Sequence, residues 1–359
     1  MGLKRIGADE ALPGLAGFDA LIDARSESEH AEDHLPGAVN WPVLNDAERA
    51  LVGTEYAQIS AFDARKRGAA LAAINIARHV QQHVLPLPRS WRPLVYCWRG
   101  GQRSGSLAMV LSEIGFAVTV LDGGYRAFRR AVMAELERLP DRLQFTVLAG
   151  RTGSAKSRLL QALAEAGAQV LDLEALAHHR GSVLGLVPGD RQPSQKAFET
   201  ALWRALAAFD PARPVFAEGE SRTIGRLRLP EALLLRLRDA PVRQVQMPLA
   251  ARVEFLLGDY AHFVADVDAF CARLQVLRDL RGTETITRWQ TLARGGDGHT
   301  LVRELLEQHY DPVYTKSMQR HFAHFEAAQP VELADAAPAT LAEAARALID
   351  ALPAPAEQA

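Results

Sequence analysis

The chain has 359 residues, is 48% hydrophobic and carries a formal net charge of −2. This apolar content excludes general disorder, and the length favours two domains over one. Only two cysteines occur, Cys97 and Cys271, which excludes a disulfide framework or zinc motif and favours a reducing cytoplasm. The chain has no signal-peptide core and no apolar run of roughly 20 residues that could span a bilayer. We therefore expect a cytoplasmic protein without membrane contact.

The first part of the chain alternates strand and helix patterns. Its predicted strands cover 18–23, 93–96 and 117–121, and its predicted helices cover 57–83, 104–114 and 126–139. This alternation is typical of a mainly parallel sheet that helices cover on both faces. We therefore predict an α/β domain over residues 1–138.

The strand at 93–96 leads directly into Cys97 and a turn rich in glycine and arginine. Backbone N–H groups and the positive end of the helix at 104–114 would surround the thiol, an environment that activates cysteine as a nucleophile. Arg99 and Arg103 can form forked hydrogen bonds with an oxyanion. We therefore predict that Cys97, Arg99 and Arg103 are catalytic.

A second strand–loop–helix pattern follows a break at 139–142. A strand at 144–149 leads into GRTGSAKS, residues 150–157, and then into a helix. This context is the one that a Walker A phosphate loop requires, although Ala155 stands where the motif has glycine. Successive N–H groups of such a loop cradle phosphate oxygens. The predicted phosphate ligands are Gly150, Gly153, Lys156 and Ser157, and Ser157 is also expected to hold Mg²⁺.

Two more strand patterns of this domain, at 169–174 and 214–218, end in acidic residues. A carboxylate at the end of a strand beside a phosphate loop can orient a metal ion or its water. We predict that Glu218, Glu220 and Arg222 complete the phosphate site. Glu220 joins Ser157 as a predicted Mg²⁺ ligand.

The chain after residue 248 is mostly helical in pattern. We assign 139–248 to a P-loop domain and 249–359 to a helical region packed on it, with a peripheral Ala/Pro-rich tail from Ala336. Arginines interleaved with an aromatic residue can bind an RNA backbone and stack on a base, although they also occur on solvated helix faces. The predicted RNA or substrate contacts are His179, Arg180, Arg278, Arg281, Arg288 and Trp289.

Several motifs, taken in order, carry a family resemblance. In the first domain LIDAR (21–25), HLPGA (34–38), the cysteine loop and LDGG (121–124) are similar to the landmarks of a rhodanese domain. In the second domain the motifs are LDLE (171–174), HRGS (179–182), QPSQ (192–195) and ESRTIG (220–225). A rhodanese-like domain joined to a P-loop domain with these motifs closely resembles the tRNA 2-selenouridine synthase family.

The resemblance implies a tRNA substrate with 2-thiouridine at the wobble position. Geranyl diphosphate would place a geranyl group on the sulfur at the phosphate loop, and selenium from selenophosphate would then displace the geranylthiol. Cys97 would attack selenophosphate and carry the selenium as a perselenide, while Arg99 and Arg103 hold the phosphate. A transient contact with an enzyme that supplies selenophosphate is a further expectation.

Two other functions fit the same residues. The spacing Cys97-x5-Arg103 is one residue longer than in many sulfurtransferases and is used by rhodanese-like phosphatases and arsenate reductases. Such an enzyme would hydrolyse a phosphoester, although Tyr96 stands where these phosphatases usually have histidine. The other alternative is an RNA-binding regulatory NTPase with a cysteine sensor, which would bind nucleotide without changing tRNA.

Overall fold

A computed structural model describes residues 3–179, 191–259 and 266–352 of the chain. Arg180, one of the predicted RNA contacts, lies outside the described residues. The chain divides into two compact units, one running up to Leu136 together with Pro193–Arg204, and the other comprising the remainder. None of the described helices is long and apolar enough to cross a membrane. The predicted fold class, two parallel α/β sheets with a helical C-terminal region, is confirmed.

The first unit is built on a parallel sheet of five strands. They are β1 (Lys4–Ile6), β2 (Ala20–Asp23), β3 (Val39–Asn40), β4 (Pro93–Tyr96) and β5 (Thr119–Leu121). The spatial order is β1-β5-β4-β2-β3, and every neighbouring pair is parallel. All four residues of β4 are buried, as expected for a central strand covered on both faces. The strand that leads into Cys97 therefore has a rigid position in the core.

Helices cover this sheet and form its core together with the strands. Their bounds are Ala8–Ala11, Glu27–Glu32, Asp46–Gln58, Ala61–His79, Gln102–Ile114 and Gly124–Arg138, with a 3-10 turn at Leu12–Gly17 and a π turn at Val80–Val84. The mostly helical pattern predicted over 57–83 is confirmed, although it covers the end of one helix and a second helix that begins after Ser60. The Ser60 side chain accepts a hydrogen bond from the Asp63 amide and so caps the new helix.

A later segment of the chain, Pro193–Arg204, also belongs to the first unit. It contains most of the helix Gln195–Ala208. The Thr200 hydroxyl donates to the buried carboxylate of Asp33 (3.0 Å), and the Trp203 ring packs edge-on against Phe128. The QPSQ motif thus begins a helix that helps to close this unit.

The second unit has its own parallel sheet of five strands and a short hairpin. The strands are β6 (Phe145–Gly150), β7 (Gln169–Leu171), β8 (Val215–Glu218), the hairpin β9 (Thr223–Ile224) and β10 (Leu227–Arg228), then β11 (Val242–Gln246) and β12 (Gln329–Glu332). The sheet order is β12-β11-β6-β8-β7, with all pairs parallel. β6 is central, and the chain order reverses on either side of it. Open α/β sheets bind ligands in the crevice at the carboxyl end of such a switch point.

The helices of the second unit include those of the C-terminal region. Their bounds are Lys156–Glu165, Leu173–Ala177, Glu231–Arg238, Leu249–Asp259, Val267–Leu274, Arg278–Arg281, Thr283–Arg294, Gly298–Leu305, Asp311–His321 and Pro338–Asp350, with 3-10 turns at Leu139–Arg142 and Gln275–Leu277 and a π turn at Leu306–Tyr310. The prediction of a peripheral tail from Ala336 is wrong. Leu341, Ala345 and Leu348 recur at helical spacing, and all three are buried in the core around Leu159.

Candidate functional site

The Cys97 thiol lies at the end of β4 and is only 3% exposed. Ser104, in the first turn of the helix Gln102–Ile114, donates its hydroxyl to the Cys97 sulfur at 3.1 Å. Within the described chain, the backbone amides of residues 98–103 donate no hydrogen bond to protein. These N–H groups stand at a helix N-terminus, where they can bind an anion next to the thiol.

A glycine turn after β5 holds the cysteine loop in place. The amides of Tyr125 and Arg126 donate to the carbonyls of Cys97 (2.8 Å) and Trp98 (3.1 Å). Gly124 has φ of +58°, and a Cβ atom on it would lie 2.3 Å from the Cys97 carbonyl oxygen. Only glycine fits here, which explains the LDGG motif.

A buried ion pair supports the same turn. Arg25 bonds Asp23 with both a terminal nitrogen (2.7 Å) and Nε, and its guanidinium lies 3.9 Å from the centroid of the Tyr125 ring. Burial opposes ionisation of Asp23, but hydrogen bonds from His30 and Arg25 hold the pKa of this carboxyl below its usual value. The LIDAR motif thus supplies a buried ion pair, with both charges paired, that packs against Tyr125.

The two predicted catalytic arginines lie in different surroundings. Arg103 is engaged by Glu29, with 2.6 Å between Nη1 and Oε2. Burial alone would raise the pKa of Glu29, but the hydrogen bond and charge of Arg103 hold this pKa below its ordinary value. Arg99 is exposed and has no side-chain partner among the described residues. Sequence analysis missed Glu29, whose only signal is the capping box that it forms with Ser26.

The phosphate loop connects β6 to the helix Lys156–Glu165. The amides of Gly153, Ala155, Lys156 and Ser157 donate to no protein group within the described chain, so this helix N-terminus can also bind an anion. The Lys156 ammonium donates to the Gly150 carbonyl at 2.5 Å, and burial lowers its pKa.

Ala155, the departure from the Walker A pattern, has the left-handed backbone that glycine would have. Its φ is +58° and its ψ is 28°, and its side chain is buried. The loop therefore keeps its shape at a conformational cost of about 1 kcal/mol.

Three carboxylates meet beside this loop. Ligand atoms of Glu174, Glu218 and Glu220 all lie within 4.8 Å of one another. The Ser157 hydroxyl donates to Glu174 at 3.0 Å, and the Glu174 amide donates to Glu218 at 2.6 Å. Burial and then repulsion from Glu174 raise the pKa of Glu218, and the same causes raise the pKa of Glu220 to about 8.

Glu174 was not among the predicted site residues, because the strand predicted over 169–174 is too long. β7 ends at Leu171, and the Asp172 side chain accepts a hydrogen bond from the Ala175 amide (2.8 Å) and begins a helix. This cap turns Glu174 toward the phosphate loop. The LDLE motif carried the signal, since an Asp before a short apolar run is a helix N-cap.

The donor set fits a hard divalent cation such as Mg²⁺. All its members offer oxygen, which is the donor that Mg²⁺ prefers. One carboxylate oxygen of Glu218, Oε2, is buried without a hydrogen-bond partner among the residues that the structure describes. Such an orphaned acceptor is costly unless a cation or a proton satisfies it.

The C-terminal helical region also builds this site. Arg252 is 3% exposed and donates to the Thr152 carbonyl (2.7 Å) and to Asp311 (2.6 Å). The Tyr314 hydroxyl accepts a hydrogen bond from the Gly150 amide at 2.6 Å. Sequence analysis missed these three side chains because Arg252 and the HYDPVY motif (309–314), which contains Asp311 and Tyr314, lie far from the phosphate loop in sequence.

These elements enclose a cavity of about 1400 Å³. One part of its lining is polar and includes the phosphate loop, His179, Glu220 and Arg222. Burial lowers the pKa of His179, and Arg222 pairs with Glu231 at 2.8 Å. The apolar part of the lining includes Phe255, Leu256, Leu280, Val313, Met318 and Phe322. The cavity therefore suits a ligand with a phosphate group at one end and an apolar body.

The residues predicted to bind RNA in the C-terminal region are mostly engaged within it. Trp289 is fully buried and donates its indole N–H to Glu304 at 3.1 Å, so the prediction that it stacks on a base is wrong. Arg288 pairs with the same carboxylate at 2.6 Å, Arg281 donates to His309 at 3.0 Å, and Arg278 donates to Thr283 at 3.1 Å. This cluster holds the helices together.

Comparisons with known proteins agree with both units. The family model "tRNA 2-selenouridine synthase AAA domain" matches residues 143–275, and the rhodanese-like domain model matches residues 7–131. A tRNA 2-selenouridine synthase of Hahella chejuensis is 34% identical over 84% of this chain and 86% of its own length. The corresponding protein of Alcanivorax borkumensis is 34% identical over 80% of each chain. That of Nitrosomonas europaea is 37% identical over 71% of this chain and 67% of its own length.

Proposed function

Because the chain belongs to the tRNA 2-selenouridine synthase family, we propose that it converts wobble 2-thiouridine in tRNA to 2-selenouridine. The proposed intermediate is S-geranyl-2-thiouridine, and the co-substrates are geranyl diphosphate and selenophosphate. The observation that carries the proposal is the cavity in which a phosphate loop opens onto apolar side chains. A nucleotide would bring a polar ribose to such a wall, whereas a geranyl chain needs apolar contacts.

Geranyl transfer would take place at the phosphate loop. The base sulfur attacks C1 of the geranyl group, an S–C bond forms, the C–O bond to the diphosphate breaks, and the N3 proton of the base is released to solvent. Lys156 and the loop amides hold the diphosphate and stabilise the negative charge that grows on the leaving oxygen. Ser157, Glu174, Glu218 and Glu220 are the residues that would hold Mg²⁺, which would offset the same charge.

Selenium transfer would take place at Cys97. Selenium in selenophosphate is already at the oxidation level of selenide, so carrying it as a perselenide would require an oxidant. Attack of the Cys97 thiolate on phosphorus needs no oxidant. An S–P bond forms, the P–Se bond breaks and hydrogen selenide is released. The amides of residues 98–103 and the exposed Arg99 can hold the phosphoryl oxygens.

Hydrogen selenide then completes the exchange at the base. Selenium adds at C2, which carries the alkylated sulfur as a better leaving group than the original thiocarbonyl. The two hydrogens of H₂Se end on N3 of the base and on the departing geranylthiol. Water hydrolyses the phosphocysteine and restores Cys97.

The test is an assay of the purified protein with tRNA that contains 2-thiouridine, with each donor omitted in turn. Mass spectrometry of the nucleosides should show S-geranyl-2-thiouridine with geranyl diphosphate alone and 2-selenouridine with both donors. If 2-selenouridine never forms while a phosphoester is hydrolysed, the rhodanese-like phosphatase replaces this proposal. If the protein binds nucleotide and leaves tRNA unchanged, the regulatory NTPase replaces it.

A further inference from the structure

Three exposed arginines lie close to the Cys97 loop in the first unit. Arg99 is part of the loop, and Arg126 and Arg130 lie on the helix Gly124–Arg138. Among the residues that the structure describes, none of the three side chains has a hydrogen-bonding or ion-pair partner. Exposed arginines of this kind supply positive charge to a ligand from solution.

The backbone ties this helix to the cysteine loop. The Arg126 amide donates to the Trp98 carbonyl at 3.1 Å, one residue beyond the amide that binds the Cys97 carbonyl. Residues four apart share one face of a helix, so Arg126 and Arg130 extend side by side from this contact. The terminal nitrogen of Arg130 also lies 3.9 Å from the position that a Cβ atom on Gly123 would take. The two arginines therefore extend from a helix that is fixed to the loop carrying the nucleophile.

An aromatic side chain belongs to the same surface. Trp98 follows Cys97 directly and is half-buried. Its ring centroid lies 5.4 Å from that of Tyr125, and the Lys196 ammonium lies 5.9 Å from the Trp98 centroid. Indole rings stack on unpaired bases of single-stranded RNA loops, and adjacent cations bind the backbone phosphates.

We propose that this surface binds the anticodon loop of tRNA, with Arg126, Arg130 and Arg99 on phosphates and Trp98 stacked on a base. The proposal rests on the proposed function, because it takes the Cys97 loop as the place where hydrogen selenide is released and beside which the wobble base must therefore lie. RNA is favoured over an acidic protein because the surface combines several unpaired arginines with an aromatic ring beside the nucleophile. It replaces the predicted base contact at Trp289, whose ring is buried.

The test compares two double variants of the full-length protein. Arg126→Gln with Arg130→Gln should weaken binding of 2-thiouridine tRNA about tenfold at moderate salt, because two phosphate contacts are lost. The slope of log Kd against log salt concentration should fall by roughly 1.5. Arg65→Gln with Arg89→Gln is the matched control, since both residues are exposed and the same charge is removed. Filter binding between roughly 50 and 200 mM salt provides both quantities.

The proposal is overturned if the Arg126/Arg130 variant keeps the wild-type Kd and salt slope, or if the control weakens binding equally. Displacement by polyglutamate without any effect of these arginines on tRNA binding would indicate an acidic protein partner instead. Circular dichroism shows whether each variant is folded. A wild-type protein that binds tRNA through these arginines but forms no selenouridine would contradict the proposed function alone.

Trp98 supplies a second, independent readout. Trp98→Ala should reduce the rate of selenouridine formation at subsaturating tRNA about tenfold, because the loss of a stacked base weakens tRNA binding. Trp98→Phe should restore most of that rate, because phenylalanine also offers a stacking face. Equal losses in both variants would contradict a stacking role.

Discussion

The protonation of the glutamates beside the phosphate loop makes the stability of the fold depend on pH. Burial and mutual repulsion favour the protonated forms of Glu218 and Glu220 in the folded state, and the pKa of Glu220 rises from 4.5 to about 8. A carboxyl group whose pKa is higher in the folded state stabilises the fold at low pH. This contribution is fully present below about pH 4.5 and is lost as the pH rises through about 8.

We therefore predict that Mg²⁺ raises the thermal midpoint of the wild-type protein more at pH 8 than at pH 5. At pH 8 the cation binds carboxylates that otherwise repel one another, whereas at pH 5 it must displace protons. Glu220→Gln should reduce both the pH dependence and the Mg²⁺ effect. Differential scanning fluorimetry measures the thermal midpoint of each protein with and without Mg²⁺ at both pH values. An equal Mg²⁺ shift at both pH values would contradict the site.

From the hydrogen bond between the Ser104 hydroxyl and the Cys97 sulfur, we predict that Ser104 acts in the selenium step alone. Ser104→Ala removes a donor to a buried sulfur and should slow selenouridine formation from S-geranyl tRNA about tenfold, equivalent to about 1.4 kcal/mol of barrier. Geranyl transfer should proceed at the wild-type rate. Ser104→Thr keeps the hydroxyl and is the control. A loss of both reactions would show that the substitution disturbs more than this contact.

At the scale of elements, the phosphate loop shows how a sequence can depart from a motif and keep its geometry. Ala155 has the backbone of the missing glycine, and its buried methyl group packs in the core around Leu159. The strain of the left-handed conformation and the burial of a methyl group are each worth about 1 kcal/mol and have opposite signs. The two effects nearly cancel, so alanine is tolerated.

Ala155→Gly should therefore change the free energy of unfolding by less than about 1 kcal/mol and leave geranyl transfer intact. Ala155→Val should be destabilising and should raise KM for geranyl diphosphate, because a β-branched residue is strongly disfavoured at this φ. Urea unfolding and steady-state kinetics measure the two effects. A valine variant with unchanged KM would mean that the loop does not bind the diphosphate.

The C-terminal helix Asp311–His321 supports the phosphate loop through side-chain contacts. Arg252 pairs with Asp311 and donates to the Thr152 carbonyl, and the Tyr314 hydroxyl accepts a hydrogen bond from the Gly150 amide. Because Arg252 is buried with its charge, its partner carboxylate cannot be removed without leaving an unpaired cation in the core. The helical region thus contributes to the geometry of the phosphate loop.

At the scale of the whole molecule, the proposed mechanism assigns the two reactions to different residues, so we predict that they are separable. Lys156→Ala should abolish geranyl transfer but still form selenouridine when the tRNA is supplied already S-geranylated. Cys97→Ala should do the reverse and accumulate S-geranyl-2-thiouridine. Nucleoside mass spectrometry after each reaction provides the readout. Selenouridine formation by the Cys97→Ala variant at the wild-type rate would exclude Cys97 from the selenium step.

Local sequence patterns were sufficient to predict the features that depend on neighbouring residues. The apolar run before Cys97, the strand–loop–helix pattern around Lys156 and the acids after β8 all lie where local periodicity and motif spacing placed them. These patterns work because a strand, its turn and the next helix are encoded within about 15–20 consecutive residues. The fold class followed from the alternation of such units.

The tertiary structure alone shows which distant residues share a site. It brought Glu174, Arg252, Asp311 and Tyr314 to the phosphate loop, and it placed Glu29 on Arg103. It also buried Trp289, whose sequence context of arginines had suggested an RNA contact. A helix of alternating arginine and apolar residues has the same local pattern whether its partner is a carboxylate or a phosphate. The choice between them depends on packing between segments that are far apart in the chain, which local sequence patterns do not encode.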